Sequence, residues 1–161
     1  DTYNAAEASL INFIMSGGNL FINPIDFEDT TFTWFPLDSI VTINPNGRLR
    51  SGRKVESAID STLDLEVSSL IAVKVKGFWP DESVFEAVTE LYHMADPQSG
   101  DGWVGNPTVC SIGQYRVSPT KLSGKVVLMT LPLYDGNRAK LNGNGSSIKL
   151  FQYLFEEEFI E

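Results

Sequence analysis

Residues 10–24, Leu-Ile-Asn-Phe-Ile-Met-Ser-Gly-Gly-Asn-Leu-Phe-Ile-Asn-Pro, constrain the fold more than any other stretch. They read as the end of a helix, a two-glycine stop and a short buried strand. Asn4 is placed to cap the helix, and Glu7 three residues later completes a variant of the capping box. Ala5, Ala6 and Ala8 favour helix. Leu10, Phe13 and Ile14 share one face, with Ile11 and Met15 beside it. Gly17 suits the left-handed residue just past a helix end. Leu20-Phe21-Ile22 is the short apolar run of a strand covered on both faces, and Pro24 stops it. One helix-to-strand step of this kind belongs to a parallel α/β sheet.

The chain has 161 residues, enough for one α/β domain over 1–161 that buries roughly 70% of its unfolded surface. Hydrophobic residues make up 42% and charged residues 20%, an ordinary globular balance that excludes general disorder. A net charge of −9 argues against nucleic acid or an anionic membrane as partner. The single cysteine, Cys110, excludes an internal disulfide. No run approaches the ~20 apolar residues of a membrane span. The opening Asp1-Thr2-Tyr3, one turn before a helix, reads as a mature product or as the C-terminal part of something larger.

Further elements follow from local pattern. Ile40-Val41-Thr42-Ile43 leads into the turn Asn44-Pro45-Asn46-Gly47. Residues 71–77 alternate apolar and charged side chains, as in a half-exposed strand, and Gly77-Phe78-Trp79-Pro80 turns away. The stretch from Ala87 to Met94 fits a strand at least as well as a helix. Thr108, Val109, Cys110 and Ile112 mark another strand, and Lys125 to Leu131 a second buried one. Residues 135–145 read as a loop. Ser146 or Ser147 caps a last helix whose buried stripe is Ile148, Phe151, Leu154, Phe155 and Phe159.

Three pieces together carry a family resemblance. They are the helix with Met15-Ser16-Gly17-Gly18-Asn19-Leu20-Phe21-Ile22, the strand–Trp-loop–strand in the middle, and the run from Gly124 through Leu131-Pro132-Leu133-Tyr134 before the final helix. Their order resembles class I glutamine amidotransferase-like domains of flavodoxin-like type. The likeness is to the C-terminal portion of the non-catalytic versions in bacterial surface and secreted proteins and in gliding or transport auxiliary proteins. It implies a three-layer α/β sandwich with a mostly parallel central sheet that lacks its N-terminal strands. It also implies a binding or structural module of a larger exported protein, extracellular or periplasmic, with no cofactor. The strand between Asn19 and Asn23 would then be central, with another domain or chain covering the sheet edge beside it. The family's triad is missing. Cys110 lies inside a strand without a glycine-flanked elbow, and the only histidine, His93, precedes it in the chain.

Candidate sites come from residue type and spacing. Asp26, Glu28 and Asp29 follow the first strand, at the end where α/β sheets place ligands. Trp103 offers a stacking surface in the glycine-rich loop 96–106. Asp96 and Asp101 of that loop supply the oxygens a metal such as calcium prefers. Four cations lie between Arg48 and Lys54, which fits a solvated hairpin flank or a seat for an anionic group. Asn142-Gly143-Asn144-Gly145-Ser146 before a helix offers a second place for an anion. Two alternatives to the binding module are a hydrolase built on the acidic loop, with or without a metal, and a subunit completed by a neighbouring chain.

Overall fold

The computed structural model describes residues 6–24, 34–135, 138–143 and 147–160. Helix α1 (Glu7–Met15) has Ala6 at its N-cap and Asn4 outside the described residues. It ends in Gly17, at φ +103°, and strand β1 (Leu20–Ile22) follows. Then come β2 (Leu37–Thr42), β3 (Lys54–Ser57), a 3-10 turn (Ser61–Leu63), β4 (Leu65–Val67), β5 (Lys76–Pro80), β6 (Ala87–Met94), β7 (Thr108–Gln114), β8 (Arg116–Ser118), β9 (Lys121–Leu122) and β10 (Val126–Met129). Three two-residue strands, β11 (Tyr134–Asp135), β12 (Arg138–Ala139) and β13 (Leu141–Asn142), precede helix α2 (Ser147–Tyr153) and a π-helical turn (Leu154–Glu158).

Nine strands form one curled, mixed sheet, a half-barrel. Its main path runs β1-β10-β7-β6-β3-β4-β13, and the β2–β5 pair joins β7 through Phe78 opposite Thr108. This corrects the expected three-layer sandwich with its mostly parallel sheet: strand accounts for 37% and helix for 17%. Among the described residues only β1 and β10 run parallel. The β7–β10, β6–β7, β3–β6, β3–β4, β4–β13 and β2–β5 pairs are all antiparallel. Sequential neighbours such as β3 and β4, or β6 and β7, are joined by loops without the helical crossover that a parallel pair requires. Strand β1 is also corrected in position: it ends the sheet path instead of occupying its centre.

The local reading at β1 and β10 nonetheless has a structural counterpart. All four side chains of β10 are buried, and they alternate between two cores. Val127 and Met129 face one with Leu150 and Leu154 of the C-terminal segment. Val126 and Leu128 face the other with Ile14 of α1. Each such buried aliphatic side chain is worth ~1.5–3 kcal/mol. The two helical segments thus contribute to the two cores that flank β10.

Three further expectations change. The strand expected at 71–77 begins at Lys76, and Phe78-Trp79-Pro80 continues it instead of turning away. The expected loop 135–145 contains β12 and β13, and β13 pairs with β4. The last helix buries Leu150 and Leu154, while Ile148 and Phe155 are 72% and 66% exposed. The π-helical turn adds residues per turn, so an α-helical stripe does not continue through it.

A candidate acidic groove

An acidic groove with a volume of about 780 Å³ lies across β2, β5, β6 and β7. Its walls include Asp38, Trp79, Asp81, Glu82, Glu90 and Thr108. Four of these are carboxylates, and among the described residues no lysine, arginine or histidine lines the space.

Strand alternation and one irregularity aim these side chains. In β5, Phe78 is fully buried, so its neighbour Trp79 points the opposite way and stays 39% exposed. In β6 the register slips between Glu90 and Tyr92: Glu90 stands opposite Ser111 and Tyr92 opposite Cys110. Simple alternation would put Glu90 and Tyr92 on one face. The bulge at Leu91 instead sends Tyr92 into the core and leaves Glu90 on the groove side. Glu90 Oε1 accepts a hydrogen bond from the Thr108 hydroxyl at 2.7 Å.

The rim is a tight turn at Asp81. Its carboxylate accepts the Ser83 backbone N–H at 3.0 Å and the Ser83 hydroxyl, and its carbonyl accepts from Val84 and Phe85. Phe85 anchors the turn, with its ring 4.8 Å from that of Phe35 and 4.9 Å from that of Tyr115. A sheet floor and a pinned rim make this a preformed recess that presents carboxylate oxygens and one indole face. Such a surface suits a cation.

The residues singled out from sequence fall elsewhere. Asp26, Glu28 and Asp29 lie outside the described residues. Trp103 is only 6% exposed and packs in the larger core, so it is no stacking platform. Asp101 forms a two-pronged ion pair with Arg53, at 3.1 and 2.6 Å. Asp96 stands 3.5 Å from Lys54 on the surface. Each of these two carboxylates is thus faced by a cation, and no cluster of three or more metal-ligating side chains occurs among the described residues. Burial pushes the Cys110 thiol far above its ordinary value. His93 faces away from it, with Nε2 3.3 Å from Glu56 and Nδ1 3.6 Å from Glu90.

The groove residues carry no local signature. Asp38 and Thr108 are far apart in the chain, and Trp79-Pro80-Asp81 reads as a turn. No protein-family model matches the chain, and no curated protein or solved structure matches it. Among the described residues no helix is long and apolar enough to cross a membrane.

Proposed function

We propose that this chain is a non-catalytic binding module and that the acidic groove holds a cationic group, an amine or guanidinium on a small molecule or a peptide. One observation carries the reading: four carboxylates and an exposed tryptophan share a recess of about 780 Å³ lined by no basic residue among those described. A cation seated there meets carboxylate acceptors worth ~1.5–3 kcal/mol per hydrogen bond and an indole face worth ~0.5–2 kcal/mol. The net charge of −9 adds long-range attraction that falls as salt shortens the screening length to about 8 Å.

Tryptophan fluorescence tests this directly. Trp34 and Trp103 are buried, so a ligand-induced change reports Trp79. Titration with spermidine and with a lysine-rich peptide should give a saturable change that weakens with salt and is lost in Trp79→Phe. Absence of saturation at low ionic strength, or equal binding of a neutral oligosaccharide, would sink the reading.

A further inference from the structure

We propose that a second pocket, formed by Arg48, Arg50 and Arg53 against the turn at 98–101, binds a small oxyanion of the phosphate or sulfate type. The pocket measures about 80 Å³, and Asn44, Asn46, Gln98 and Ser99 complete its lining with Gly100 and Asp101. That is the space of two to three waters at about 30 Å³ each, the scale of one tetrahedral oxyanion group.

Its construction starts in the sequence. Leu49 is fully buried and bridges to Ile71, so Arg48 and Arg50 on either side of it emerge together on the opposite face. The bend at Ser51-Gly52, with Gly52 at φ +89°, returns the chain so that Arg53 joins them.

The charges do not cancel. Asp101 is the one carboxylate among the described residues that line the pocket. Both of its oxygens are already engaged by Arg53, and Oδ2 also accepts the Gln98 backbone N–H at 2.7 Å. Arg48 and Arg50 have no ion-pair partner among the described residues. Arg53 is 94% buried, as 6% exposure requires, and its Nε has no hydrogen-bond partner among the described residues. Three guanidinium groups at one small recess, in a chain of net charge −9, form a local positive site that an oxyanion with several acceptor oxygens satisfies.

The test is NMR titration of the full chain with inorganic phosphate and, separately, with O-phosphoserine. The readouts are the Arg53 Nε–H and the backbone amides of 98–101. Saturable shifts are expected with phosphate. Parallel shifts with phosphoserine identify an esterified group as an acceptable ligand, and shifts with phosphate alone identify the free ion; either supports the site. Arg48→Gln with Arg50→Gln should weaken binding about tenfold or more, with the amide spectrum otherwise native. Lys54→Gln, whose side chain faces Asp96, should leave affinity within about twofold. No saturable shift with either probe, or equal affinity in the double variant and the native chain, overturns the proposal.

Discussion

Gly124 and Gly18 meet backbone to backbone: a Cβ on Gly124 would lie 2.0 Å from the Gly18 carbonyl oxygen. The Gly124 N–H donates to the Ile14 carbonyl at 2.9 Å, so the same residue also ties down the end of α1. Asn19 Oδ1 accepts the Lys125 N–H at 2.8 Å, and the parallel β1–β10 register starts one residue later. The two-glycine stop therefore serves as the landing site for β10 as well as the end of a helix.

Gly124→Ala should accordingly destabilise the chain by more than the ~1–3 kcal/mol of ordinary overpacking, because the obstruction is backbone and cannot rotate away. Denaturant unfolding measures this. Gly105→Ala is the control: φ is +77° and nothing lies within 4 Å of the added Cβ, so only backbone strain of ~1–2 kcal/mol applies.

The Arg53–Asp101 pair makes a second case. Its side chains are 7% and 8% exposed. Asp101→Asn leaves a buried guanidinium without its counter-charge and should cost ~3–5 kcal/mol. Replacing both partners by apolar residues of similar size should recover most of that loss. A double-mutant cycle in urea separates the two outcomes.

Acid should loosen the C-terminal segment first. Burial raises the Glu158 carboxyl, but hydrogen bonds from Lys125 and Tyr153 and the Lys125 charge outweigh it, so the group sits below its ordinary 4.5. A depressed folded-state value stabilises above the unfolded one and loses that contribution as pH falls through the folded value. Thermal melts should therefore show native Tm falling more steeply below about pH 4.3 than that of Glu158→Gln. At neutral pH the variant should lose about 1 kcal/mol, since the Lys125 Nζ contact is 2.7 Å and both side chains are mostly covered.

Cys110 should behave as an inert core residue. It is fully buried, and burial alone raises its thiol. Labelling by a thiol reagent in native buffer should be about a thousandfold or more slower than in denaturant, following opening of the fold. Fast native labelling would show that the sheet around β7 opens locally.

The sequence by itself determined the elements whose signals are local. The Gly17-Gly18 stop, the apolar run of β1 and the strand at β10 need only neighbours in the chain to be read. The strand from Ala87 to Met94 was legible as well, because β-branched and aromatic side chains crowd it. Tertiary structure decided what those elements pair with. Whether β1 is central or at the edge depends on contacts with β10, more than a hundred residues away, and no periodicity encodes that partner. The Leu91 bulge exists only against β7, and it alone separates Glu90 from Tyr92. The groove and the arginine pocket are likewise products of long-range packing: Asp101 looked like a free loop carboxylate until the fold brought Arg53, 48 residues earlier, against it. Local propensity specifies backbone shape, whereas charge and recess are set by which distant side chains a folded chain brings together.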